Sequence, residues 1–155
     1  MTDADDADDA ELLRGLGDEL MRITRRRTTV YPDARLDASA FRLLWLLTEG
    51  PPRTQRELAD ELQLDPSTVN RQVNAAIKHG LVEWYAEPGA PSRLLRPTTT
   101  GAEAYLHDGR ARAEVYTQVL VELGHDRAGG LVAELREFND ALDRAHARLR
   151  SEPGA

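Results

Sequence analysis

A chain of 155 residues with 41% hydrophobic and 30% charged residues has the size and composition of one soluble globular domain, able to bury a core without disulfides or metal. It contains no cysteine, which excludes disulfides, thiolate metal sites, cysteine nucleophiles and thiol redox sensing. The net charge is −7, but Asp3, Asp5, Asp6, Asp8, Asp9 and Glu11 stand before Leu12 without a single base, so the rest of the chain is close to neutral.

Residues 1–11 therefore read as an acidic disordered tail ahead of a single domain over 12–150. This terminus lacks a basic segment and an apolar h-region, and no apolar run in the chain approaches ~18 residues. A cytoplasmic location with no membrane partner is expected. Leu12, Leu13, Leu16, Leu20 and Ile23 recur at helical spacing and predict a helix from about Asp9 to Val30, weakened at Gly15 and Gly17 and ended before Tyr31-Pro32. A second helix fits Asp37 to Thr48, with Phe41, Leu44, Trp45 and Leu47 or Thr48 on one face and Gly50-Pro51-Pro52 as its stop. Thr54-Gln55-Arg56-Glu57 has the form of a capping box, and the short helix it opens should bury Leu58, Ala59 and Leu62. After Leu64, Asp65 is placed as an N-cap and Pro66 at a first helical position, so a further helix runs to His79 with Gly80 as its stop. Leu81 to Tyr85 and Arg93 to Pro97 flank Glu87-Pro88-Gly89-Ala90-Pro91 as a β-hairpin with a Pro/Gly-rich tip. Thr98-Thr99-Thr100 caps a long helix to about Gly124, and a last helix covers Asp126 to Leu149, with Ser151 to Ala155 as a loose end. Gly109, Ala113, Tyr116, Leu120 and Leu123, and then Leu131, Leu135, Phe138, Leu142, Ala145 and Leu149, alternate between spacings of three and four, as seams between packed helices do. The fold class is mainly α with one small β-hairpin.

Function concentrates between Thr54 and Pro97. Ser67, Arg71, Asn74 and Lys78 form a polar stripe on the fourth helix, while Val69, Val73, Ala76 and Ile77 fill its other side. Asn and Arg bond bidentately to base edges, and an exposed helix fits the major groove. Ser67 and Thr68 lie in the first helical turn, where backbone amides and the helix dipole favour a phosphate. A helix, a three-residue turn and a second helix, followed by a hairpin bearing Arg93 and Arg96, form the arrangement of a winged helix–turn–helix. From Pro66 to Pro97, Arg71, Lys78, Arg93 and Arg96 outnumber Glu83 and Glu87, which favours an anionic partner on this segment. Arg25-Arg26-Arg27 reads either as a solvated helix surface or as a phosphate contact beside that unit.

Enzymatic chemistry is not indicated. The chain has no GxSxG, no phosphate-binding glycine loop and no HExxH, and its carboxylates fall mostly on exposed helical positions or in the tail. His79, His107, His125 and His146 are too scattered for a sequence-encoded metal site, and no cofactor is expected.

Thr54-Gln55-Arg56-Glu57-Leu58-Ala59, Leu64-Asp65-Pro66-Ser67-Thr68-Val69-Asn70-Arg71, His79-Gly80-Leu81-Val82 and Pro97-Thr98-Thr99-Thr100-Gly101 together resemble the multiple-antibiotic-resistance regulator (MarR) family. The resemblance implies a winged helix–turn–helix over 37–98 with long dimerisation helices over 12–36 and 99–150. It implies a homodimer that binds pseudo-palindromic double-stranded DNA, mostly as a repressor, and is released by a small aromatic or phenolic ligand. Carried over by position, Ser67, Thr68, Asn70, Arg71 and Asn74 would meet the major groove and its phosphates, with Asn70 where Ser or Thr is more usual. Lys78, Arg93 and Arg96 complete the candidate DNA-binding set. The family's Asp-x-Arg at the wing tip is replaced by Gly89 and Pro91, and Arg93 is the nearest substitute. Leu12, Leu16, Leu20, Leu135, Phe138, Leu142 and Leu149 would form the dimer interface. A ligand pocket between the dimer and DNA-binding parts would draw on Tyr31, Phe41, Trp45 and Tyr105. The altered wing and the acidic tail also fit an alternative, a winged-helix protein-interaction module with weak or no specific DNA binding. In a further variant, the tail competes for the basic surface as an internal DNA mimic.

Overall fold

The structure, a computed structural model, describes residues 3–26, 31, 33–86 and 93–151. Its elements in chain order are α1 (Asp3–Arg26), α2 (Ala38–Thr48), α3 (Gln55–Leu62), α4 (Pro66–Lys78), β1 (Val82–Tyr85), β2 (Leu94–Pro97), α5 (Thr99–Leu123) and α6 (His125–Ser151). The chain divides into two compact units, residues 1–111 and 112–155, with the boundary inside α5.

α1 begins at Asp3, so residues 3–11 continue the helix and do not form a separate disordered tail. The composition explains this. Ala4, Ala7 and Ala10 are the strongest helix formers, and acidic residues at a helix N-terminus complement its dipole. At the other end Arg25 and Arg26 occupy the last turn, where positive charge is favoured. Arg27 to Val30, the expected end of this helix, lies outside the described residues.

The core of the first unit is one cluster of Leu36, Leu43, Leu44, Leu47, Leu58, Ala59, Val69, Val73, Ala76, Val82, Leu95, Ala104 and Tyr105. α2 enters it under a firm cap: Asp37 accepts from the Ser39 and Ala40 amides, both at 2.8 Å, and from the Ser39 hydroxyl at 2.6 Å. Those bonds hold the Asp37 carboxyl below its ordinary range, the Ser39 side chain contributing most. The connection before α2 is tied to α5 by Asp108, which is buried and accepts from the Arg35 amide at 3.0 Å, the Leu36 amide at 2.9 Å and His107 Nδ1 at 3.1 Å. Burial disfavours the Asp108 charge, but the Arg35 amide, His107 and the Leu36 amide outweigh it and keep the carboxyl below its usual value.

β1 and β2 pair antiparallel with Glu83 opposite Arg96 and Trp84 opposite Leu95. Arg53 extends this small sheet through an isolated antiparallel bridge to Leu95, with Leu95 N donating to Arg53 O at 2.7 Å. In the second unit Ala128 is buried, whereas Val115, Val119, Leu120, Leu131, Val132, Leu135, Leu142 and Leu149 are exposed large hydrophobics. None of the helices among the described residues is long and apolar enough to cross a membrane.

Candidate nucleic-acid interface

The helix–turn–helix starts from a complete capping box. Thr54 Oγ1 accepts from the Glu57 amide at 3.2 Å, and Glu57 Oε2 accepts from the Thr54 amide at 2.7 Å. The Thr54 amide and hydroxyl hold the exposed Glu57 carboxyl below its ordinary pKa. α3 buries Leu58 and Ala59, with Leu62 half-buried. The three-residue turn then needs one left-handed position, which falls on Gln63 at φ 51°. Leu64 N donates back to Ala59 O at 3.1 Å, satisfying a carbonyl that the helix end would leave open.

Asp65 occupies the N-cap position of α4 but makes no side-chain capping bond, contrary to its assignment as a good cap. Its backbone carbonyl accepts from the Thr68 amide at 2.9 Å and the Val69 amide at 3.0 Å. Pro66, at the first helical position, has no amide to satisfy, so the helix starts without the carboxylate. Gly80, at φ 68°, ends it in the left-handed conformation that glycine adopts without strain.

One face of α4 is driven into the core: Val69 and Val73 are fully buried and Ala76 nearly so. The opposite face exposes Ser67, Asn70, Arg71, Asn74 and Lys78, with Thr68 half-buried at its edge. These side chains are organised among themselves. Arg71 donates to Thr68 Oγ1 at 3.1 Å. Asn70 Oδ1 accepts from Asn74 at 3.2 Å and from Gln55, on α3, at 3.0 Å. Gln55 was absent from the candidate set, because a link fifteen residues long across two helices has no local sequence signal.

The wing arginines differ from a pair of free cations. Arg96 Nε donates to Glu83 Oε1 at 2.8 Å, and its guanidinium lies 4.6 Å from the centroid of the Tyr85 ring. Arg93 lies 5.1 Å from the Trp84 ring centroid. Arg96 is thus already paired: the cross-strand register sets it against Glu83, which offsets part of its charge. The wing tip, with Gly89 and Pro91, lies outside the described residues.

Arg53, also missed, fixes the wing relative to the helices. Its side chain pairs with Glu61 of α3 at 2.7 Å and donates to the Leu46 carbonyl of α2, while its backbone bridges Leu95. From the other side, Thr98 donates its hydroxyl to Gly80 O at 2.6 Å and accepts from the Gly101 amide at 3.0 Å. A Cβ at Gly101 would overlap the Leu81 carbonyl oxygen, so only glycine lets α5 dock against the connection between α4 and β1.

Of the four aromatic candidates for a ligand pocket, Phe41 and Tyr105 meet with ring centroids 5.2 Å apart. Tyr105 donates to Glu49 Oε1 at 3.0 Å, and burial together with that carboxylate pushes its pKa up to about 12. Tyr31 is half-buried and Trp45 is 51% exposed. A groove on α1 is lined by Asp9, Leu12, Leu13 and Leu16, and by none of these aromatics. Of the seven dimer candidates, Phe138 is half-buried and Leu12, Leu16, Leu20, Leu135, Leu142 and Leu149 are exposed.

Comparison with known proteins gives a consistent picture. The MarR family model matches residues 36–90. The uncharacterized HTH-type transcriptional regulator YxaD of Bacillus subtilis is 32% identical over 103 residues, covering 62% of this chain and 72% of that protein. Among solved structures, a putative MarR family transcriptional regulator from Listeria monocytogenes, complexed with a 26mer DNA, superposes with a TM-score of 0.72 at 19% identity, covering 92% of this chain and 96% of that one. A mutant MarR from E. coli complexed with operator DNA gives a TM-score of 0.67 at 18% identity, covering 80% and 93%.

Proposed function

This chain belongs to the MarR family of transcriptional regulators, and we propose on that premise that it is a cytoplasmic homodimer that binds pseudo-palindromic double-stranded DNA as a repressor and leaves it when a small aromatic or phenolic ligand binds. The observation that carries this reading is α4, held in the core by Val69 and Val73 while Ser67, Asn70, Arg71, Asn74 and Lys78 face solvent. A helix anchored on one side with an ordered polar face on the other is what entry into a major groove requires. The two DNA complexes among the similarly folded structures support the same reading.

The mechanism is geometric. Two α4 helices must sit about one DNA turn apart, ~34–36 Å, to occupy successive major grooves. A ligand acts only through its differential affinity for dimers of different separation. The Phe41–Tyr105 pair is the contact that an aromatic ligand would extend. The exposed apolar residues of α1, α5 and α6 supply the surface for the second copy.

The test is binding of the full chain to its own upstream DNA at two salt concentrations. A specific complex that weakens steeply with salt is expected, and Lys78→Ala should lower the salt slope by about one. A second reading, a winged-helix module for protein partners, is favoured by the Arg96–Glu83 pair, which removes a positive charge from the wing. Absence of any salt-sensitive DNA complex would select it.

A further inference from the structure

Three carboxamides from two helices form one hydrogen-bonded chain at the exposed face of α4. Gln55 Nε2 and Asn74 Nδ2 both donate to Asn70 Oδ1, at 3.0 and 3.2 Å. A carboxamide oxygen has two lone pairs, so this atom is fully used. The groups this network leaves for a ligand include the Asn70 NH2, a donor, and the Asn74 and Gln55 carboxamide oxygens, acceptors. Alone on a helix surface, an asparagine presents either end of its amide. Gln55 restricts that freedom from the first position of α3, outside the helix that carries the polar stripe: its NH2 meets the Asn70 oxygen, and Asn70 can invert only if the Gln55 and Asn74 amides invert with it.

We infer that Gln55 is a positioning residue for base selection: by holding the Asn70 oxygen as observed, it turns the Asn70 NH2 toward the DNA and couples the base edges that the Asn70–Asn74 pair accepts to its own amide. This rests on the DNA-binding reading above and deepens it. The outward donor of Asn70 matches an acceptor edge, purine N7, guanine O6 or thymine O4, while the Asn74 oxygen matches the amino group of adenine or cytosine. The pattern is defined by two helices together, so replacing Gln55 should alter sequence preference without touching the core or the charge of α4.

The experiment is selection from a fully randomised duplex DNA library by the full-length chain and three variants, Asn70→Ala, Gln55→Ala and Gln55→Glu, with thermal unfolding of each. Asn70→Ala identifies the base position that Asn70 reads. At that position Gln55→Ala should lose on the order of tenfold of discrimination, the range of one specific side-chain contact. The carboxylate of Gln55→Glu accepts only, so it turns the Asn70 NH2 inward and should shift the preferred base from an acceptor edge to an amino-bearing one. Preferences elsewhere and the unfolding temperature should match the unsubstituted chain. Gln55 variants that lower affinity uniformly while keeping every preference would overturn the assignment alone. No enrichment by the unsubstituted chain would overturn the DNA-binding reading, and the assignment with it.

Discussion

Leu58 in α3 and Leu142 in α6 are the same side chain at the same kind of helical position, yet Leu58 is fully buried and Leu142 is 40% exposed. The contrast extends to the regions around them. From Thr54 to Gly101 the chain closes on itself: apolar faces meet in one core, helix ends are capped, and Arg53 and Thr98 tie the elements together. Along α1, the distal part of α5 and α6, apolar residues recur just as regularly but remain in contact with solvent. Periodicity thus announces that a face is to be covered and leaves open what covers it. At ~25 cal/mol per Å² of apolar surface removed from water, such faces carry a strong drive to associate.

The widest separation between the two regions is expected on truncating the leucines. Leu58→Ala should cost about 2–5 kcal/mol in chemical denaturation at any protein concentration, since its cavity lies inside the chain. On the proposed homodimer, Leu142→Glu should instead shift the molecular mass in sedimentation toward the monomer and remove the concentration dependence of Tm. A Leu142→Glu variant that stays dimeric would place the interface elsewhere.

Asp108 joins the α1–α2 connection to α5, and Asp108→Asn should cost about 1–3 kcal/mol, the range for disrupting buried charge-assisted hydrogen bonds. Its pH signature follows from the lowered folded pKa. Between the folded value and the unfolded value near 3.8 the unfolded chain binds more protons, so stability rises with pH there, is fully present above that window and is lost as pH falls through it. Urea unfolding across the acid range should show a shallower slope in Asp108→Asn than in the unsubstituted chain. Asp37→Ala, which removes the α2 cap, should cost about 1 kcal/mol and flatten the same acid limb for the same reason.

The smallest expected effect sharpens the recognition region itself. Glu83→Gln should leave stability within about 1 kcal/mol, because an exposed ion pair contributes little. It releases Arg96 from its acid, so DNA affinity should rise and the salt slope should steepen by up to about one. An unchanged slope would mean that Arg96 does not reach the phosphates.

Much of the recognition region was legible because its signals are local. Thr54 and Glu57 meet across one helical turn, Pro66 and Gly80 mark helix ends through their own backbone limits, and the burial of Val69, Val73 and Ala76 follows from helical spacing. Asp65 shows the limit of that logic: its type suited a cap, but Pro66 and the Asp65 carbonyl satisfy the helix start without it. The acidic stretch shows another, since alternation of alanine with aspartate allows α1 to begin at Asp3 despite the charge.

The amino-acid sequence by itself determined the order of elements, the two faces of α4 and the absence of thiol chemistry, each a property of single residues or of neighbours within a turn or two. Only the tertiary structure decided that Gln55 holds Asn70, that Asp108 accepts from Arg35 and Leu36 more than seventy positions away, and that Glu83 offsets Arg96. Such contacts depend on which faces meet, and many side chains of the same type could have filled the same positions in the sequence pattern. The net charge of −7 belongs to the first kind of fact, and its effect at the DNA-binding face belongs to the second, because a charge acts on a ligand through where the fold places it and what it is paired with.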